Sequence, residues 1–180
     1  MGQTDAIGRP APSEYAPAYG GYIDLVPEAG SVLLTVLGDQ IGQLAQVAAA
    51  VPADREAFAY APGKWTVREV FAHLIDVERI FGYRAYCLSR GDAGPFPGFD
   101  DEAYVARSGA NRRTVADLAA EFGSVRQANL LALGPLGPEA WRVAGTANGK
   151  PVSTRSLAYM MAGHPRHHLG LLESRYGIRG

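Results

Sequence analysis

Residues 64–91 read KWTVREVFAHLIDVERIFGYRAYCLSRG, and apolar residues recur in them every three or four positions rather than every second one. Val70, Leu74, Val77, Phe81, Ala85 and Leu88 form one stripe on a helix of about 3.6 residues per turn. Thr66 followed by Glu69 is a capping box, in which each side chain satisfies a backbone N–H that the first turn leaves free. Gly91 supplies the stop, because glycine takes the left-handed conformation that ends many helices. The stretch predicts one long amphipathic helix. Such a helix needs partners for its apolar face.

Those partners are legible on both sides. After Pro27, Leu33, Val36, Leu37, Ile41, Leu44 and Val47 keep helical spacing until Pro52 closes the segment, although Gly30, Gly38 and Gly42 lower its propensity. A third helix is expected from about Thr114 to Leu133, with Val115, Leu118, Phe122, Val125 and Leu130 inward. A fourth runs from Ser153 to Tyr176 with Gly177 behind it. Between the second and third, residues 91–111 are dense in Gly and Pro and carry Phe96, Phe99 and Tyr104, a connection long enough to act as a lid or to be pinned to the bundle by its aromatics. Residues 134–152 form a second irregular link, with a short turn expected at Glu139–Trp141. No segment reads as an alternating strand. The expectation is an all-α four-helix bundle with a long connection between helices 2 and 3, formed by a single domain over 23–180 and preceded by a flexible N-terminal arm over 1–22.

Composition excludes several roles. The formal net charge is −1 and no basic stripe is present, so there is no electrostatic footprint for nucleic acid. No apolar run approaches the roughly 20 residues of a membrane span, and the first 20 residues hold no apolar signal core. A lone cysteine, Cys87, cannot form an intramolecular disulfide and fits a reducing compartment, so a cytoplasmic location is expected.

The histidines are the chemistry-bearing group. Of four, three lie in MMAGHPRHHLGLLESRYG, residues 160–177, within a segment whose Met, Ala and Leu belong in a core. His164 and His168, one helical turn apart, lie roughly 40° from each other on the face that also carries Leu157, Met161, Leu171 and Leu172. His167 points roughly 60° to the other side. Two inward imidazoles either hydrogen-bond within the core or ligate one ion, since neutral imidazole is the commonest side-chain ligand for divalent transition metals. A metal would need a further ligand, and His73 on the second helix borders its apolar stripe. Spacing alone leaves both readings open. Pro165 removes a backbone hydrogen bond and its ring presses on the carbonyl of Met161, so a kink or a restart of the helix is expected there.

The combination of GKWTVREVFAHLIDVERIFGYRA, PGFDDEAYV and SLAYMMAGHPRHHLGLLESRYG resembles the DinB-like superfamily, specifically its DinB/YfiT-type metalloenzymes, over about residues 28–176. The resemblance implies a four-helix bundle holding a divalent ion, nickel or zinc, on His73 from the second helix and His164 and His168 from the last. Pro165 departs from the family pattern, where a helix former is usual. The resemblance also implies a small-molecule substrate, no nucleic-acid partner, and a homodimer as a possible assembly.

Three imidazoles leave such an ion its charge and open positions for a ligand. The activity that the resemblance implies is thiol-dependent S-transfer to small electrophiles, with a low-molecular-weight thiol such as bacillithiol or mycothiol as co-substrate. Metal-assisted hydrolysis is the alternative, for which Asp76 and Glu78 are candidate bases unless both lie on a solvated face. A non-catalytic bundle that binds metal or dimerises is the third. Arg84, three turns beyond His73 on roughly the same face, and Arg175, about two turns beyond His168, could bind a substrate carboxylate or phosphate, or close a salt bridge at the bundle end. Trp65 and Trp141 are expected to plug the bundle ends.

Overall fold

The computed structural model describes residues 7–27 and 32–179. In chain order its elements are α1 (Gly20–Asp24), α2 (Leu33–Ala49), α3 (Val67–Ser89), α4 (Asp101–Arg107), α5 (Val115–Leu133), α6 (Pro138–Arg142), β1 (Ala144–Ala147), β2 (Lys150–Ser153) and α7 (Thr154–Tyr176). The four long helices α2, α3, α5 and α7 make the bundle that the periodicity predicts. The start of the first predicted helix, with Gly30, lies outside the described residues.

Local signals set the ends. Thr66 accepts from the Glu69 amide at 3.2 Å while the Glu69 carboxylate accepts from the Thr66 amide at 2.8 Å. Thr114 caps α5 through the Asp117 amide, and Ser153 and Ser156 cap α7 reciprocally. Gly177, at φ 68°, ends α7 in the left-handed region that glycine enters without a Cβ penalty.

The order around the bundle is α2–α5–α3–α7. Consecutive helices α2 and α3 therefore sit on a diagonal, and the segment between them crosses the end of the bundle. This arrangement seats α3 directly against α7, which brings the two histidine-bearing helices together.

Two expectations are corrected. A β-hairpin, β1–β2, occupies part of the second link, where no strand was expected. Its turn is Asn148-Gly149 with φ 51° and 66°, the pair of positive φ values that a tight two-residue hairpin requires. Residues 7–25, most of them within the expected loose arm, lie along the bundle instead. Ile7 and Ile23 are buried in its core, Glu14 pairs with Arg155 of α7 (Arg155 Nε to Oε2 2.8 Å), and α1 packs on α7.

The long connection is pinned. Phe96 is buried and pairs with the hairpin, its amide donating to the Thr146 carbonyl and its carbonyl accepting from the Asn148 amide, both at 2.9 Å. Of the two roles weighed for this connection, the structure takes the second. The core comprises two apolar clusters, one around Leu37, Phe81, Trp141 and Met161, the other around Leu44, Phe71, Phe122 and Leu172. Between them lies a waist of buried polar side chains.

Candidate metal centre

His73 of α3 and His164 and His168 of α7 converge at that waist, 5%, 4% and 7% exposed. The Nε2 atoms of His73 and His168 each lie 3.0 Å from Nε2 of His164, and one nitrogen from each ring falls within 4.8 Å of the other two. A ring nitrogen with one hydrogen or one lone pair serves one partner well, so at most one of the two 3.0 Å contacts is a proper hydrogen bond. The Nδ1 atoms of His73 and His168 are buried and have no partner among the described residues. Protein groups alone do not satisfy this cluster.

Electrostatics point the same way. Burial, which disfavours the imidazolium, pushes the pKa of His73 down to about 4 and that of His168 to about 3; it also lowers that of His164, with His168 and His73 adding like-charge repulsion. The three rings are neutral at pH 7, the protonation state a metal ligand needs. Two of the three nitrogen pairs, at 3.0 Å, come near the separation of about 3.3 Å expected for nitrogens about 2.0–2.1 Å from one ion at tetrahedral angles. The donor set fits a divalent transition metal.

Packing orients the rings. Trp65 lies against His73 with centroids 4.6 Å apart, and Tyr22 of α1 stands edge-on to His164 at 5.4 Å. Trp65 Nε1 donates to Glu102 of α4 at 2.9 Å, which ties the long connection to the site. Trp65 is thus a wall of the centre rather than a plug; Trp141 is fully buried in the core. A cleft of about 210 Å³ beside His168 is lined by Tyr60, Lys64, Trp65, Glu102 and Tyr176. His167 is exposed and stays out of the cluster.

α7 does not restart at Pro165; it runs as one helix from Thr154 to Tyr176. Arg126 of α5 supplies the reason. It is fully buried, and its Nη2 donates at 2.8 Å to the Met161 carbonyl that Pro165 cannot serve. The same guanidinium pairs with both carboxylate oxygens of Glu78 at 2.8 and 2.7 Å, and donates to Gln40 and the Leu37 carbonyl. Gln40 in turn donates to the Ala162 carbonyl at 2.6 Å. All four bundle helices meet in this network, next to the histidines.

The remaining candidates fall apart from the cluster. Glu78 is neither a base nor solvated, because Arg126 and Asn129 engage it. Asp76, half-buried with its pKa raised by burial, feels Arg79 and Glu121 rather than the histidines. Arg175 is exposed and takes no part in the site. Arg84 is buried and donates to the Pro97 carbonyl at 2.6 Å. Sequence reasoning missed Trp65 as a site wall and Arg126 altogether. A tryptophan beside the capping threonine of the histidine helix was a usable signal; no local signal marks Arg126.

This fold and donor set define a helical-bundle protein of metal-site type. The family model of the DinB superfamily matches residues 37–172, and the chain belongs to that superfamily. Among solved structures it is similar to YfiT from Bacillus subtilis, described as a probable metal-dependent hydrolase with an unusual four-helix bundle topology. That match has 17% identity and a TM-score of 0.69, and covers 99% of this chain and 100% of the other. No curated protein matches the chain.

Proposed function

We propose that this protein is a metal-dependent enzyme whose divalent ion, nickel or zinc, is held by His73, His164 and His168. The observation that carries the reading is the convergence of three neutral, buried imidazoles whose Nε2 atoms crowd together more closely than hydrogen bonds between them can satisfy. When bound, such an ion supplies Lewis acidity and stabilises an anionic nucleophile at neutral pH. The histidines hold it. Trp65, Tyr60 and Tyr176 present an apolar wall to a small organic substrate, and Lys64 offers a cation at the rim.

Thiol-dependent S-transfer is the reaction we favour, with a low-molecular-weight thiol as co-substrate. Its support is that two carboxylates near the histidines are already engaged: Glu78 is paired with Arg126 and Glu102 is tied to Trp65. A thiolate nucleophile needs no such base, whereas hydrolysis does. Hydrolysis is the second reading, favoured by the likeness to YfiT and by Asp101, whose charge acts on His73. The two separate in one assay. Metal-loaded protein is given monochlorobimane with bacillithiol, mycothiol or cysteine, and in parallel an activated ester without thiol. Thiol-dependent consumption of monochlorobimane, lost in His164→Ala, is the expected result. Turnover of the ester alone would move the assignment to hydrolysis, and no turnover of either would leave a metal-binding bundle without catalysis.

A further inference from the structure

Arg84 has no anionic partner among the described residues. It is 5% exposed, yet no carboxylate among the described residues bonds to it or acts on its charge. Its one protein acceptor is the Pro97 carbonyl. Its remaining nitrogens reach solvent. Burying a guanidinium is costly unless a counter-charge offsets it. The opening through which it meets solvent is a cleft of about 260 Å³ between α3 and the pinned connection, lined by Ile80, Phe96, Pro97, Phe99 and Tyr104. Phe81 and Phe99 lie 5.9 and 6.0 Å from the guanidinium carbon. Arg79 also borders the cleft, but its side chain is largely exposed and turned to Glu121, a carboxylate it shares with Arg113.

From this arrangement we infer that the Arg84 cleft is a binding site for a small carboxylic acid with an apolar or aromatic body. One unmatched cation suits a monoanion, and a planar guanidinium suits a carboxylate. The apolar lining takes up the rest of the ligand. A phosphate dianion, by contrast, would meet a single buried cation and mostly hydrocarbon walls. Phe96 holds the far side of the cleft in place through its pairing with the hairpin, so the site is largely pre-formed. Arg84 is eleven positions beyond His73 on α3, about 16 Å along the helix axis. The site is therefore separate from the histidine cluster and does not depend on it.

Titration of the full chain with phenylacetate, followed by amide NMR, tests the inference. Saturable shifts confined to residues 80–84 and 96–104 are expected, with phenylacetamide, the neutral isostere, failing to reproduce them. Arg84→Gln should weaken phenylacetate binding about tenfold or more, as loss of a charge-assisted pair implies, and Arg84→Lys should fall between. His73→Ala should bind phenylacetate like the wild type, so failure of the metal reading leaves this site standing. Inorganic phosphate should not displace phenylacetate. Absence of saturable shifts at the cleft, equal binding of the amide, or unaltered binding in a folded Arg84→Gln variant would overturn the assignment. Should Arg84→Gln not fold, the wild-type comparison of acid and amide decides.

Discussion

Two buried polar clusters share the waist of the bundle, and they are built in opposite ways. In one, Arg126, Glu78, Gln40 and Asn129 exchange hydrogen bonds until the guanidinium and the carboxylate are both engaged. In the other, three imidazoles aim nitrogens at one another and leave two Nδ1 atoms without partners among the described residues. A protein keeps buried polar groups paired unless something else completes them. The first cluster is complete as structure; the second has the arrangement of a ligand set. The first also serves the second, since Arg126 carries the Met161 carbonyl across the gap made by Pro165, one residue past His164.

Removing a partner separates the two most sharply. Arg126→Ala leaves the Glu78 carboxylate buried and uncompensated, and should cost about 3–5 kcal/mol in denaturant unfolding. Replacing both Arg126 and Glu78 by apolar residues of like volume should cost far less. A loss below about 1 kcal/mol in the single variant would show that the network is not what closes the waist.

Gly163→Ala is next. A Cβ there would lie 1.9 Å from the Tyr22 carbonyl oxygen, so α1 must shift, and Tyr22 with it. Overpacking of this kind costs about 1–3 kcal/mol. Because Tyr22 stands against His164, metal affinity should fall as well, as read by calorimetric titration. Unchanged affinity would mean that α1 does not help to orient the ring.

pH probes the histidines without touching the arginine. Unfolded imidazole titrates near pH 6.5, while folded His73 and His168 do so near 4 and 3. Below about pH 6.5 the unfolded chain takes up protons that the folded chain refuses. Metal-free protein should therefore lose stability as pH falls from about 6.5 toward 4, by at most about 1.4 kcal/mol per unit for each ring. Urea midpoints that stay level from pH 6.5 to 5 would contradict the burial argument.

Thr66→Ala is the control. It removes the cap of α3 and should cost about 1 kcal/mol while leaving metal content intact, because neither cluster uses the threonine.

What the sequence makes legible follows from range. The four bundle helices are readable because periodicity and caps are local, and His164 and His168 share a face for the same reason. That His73 meets them depends on α3 lying beside α7, which no spacing within either helix dictates; the family resemblance supplied that pairing. Arg126 is unreadable, since its partners lie 35 to 89 positions away and its helix gives no sign of an inward charge. The hairpin was readable in principle from Asn148-Gly149, but its strands are four residues each and carry no clear alternation. The Gly and Pro content of residues 1–22 suggests a loose arm, while Ile7 and Glu14 anchor it through contacts with distant residues.

The central claim is that the imidazole cluster is completed by a cation. Elemental analysis of protein purified without a metal-affinity tag, on wild type and on His73→Ala, tests it most directly. About one divalent transition metal per chain in the wild type, lost in the folded variant, is the predicted result. A metal-free wild type that takes up no added nickel or zinc, or a variant that retains its metal, would contradict it.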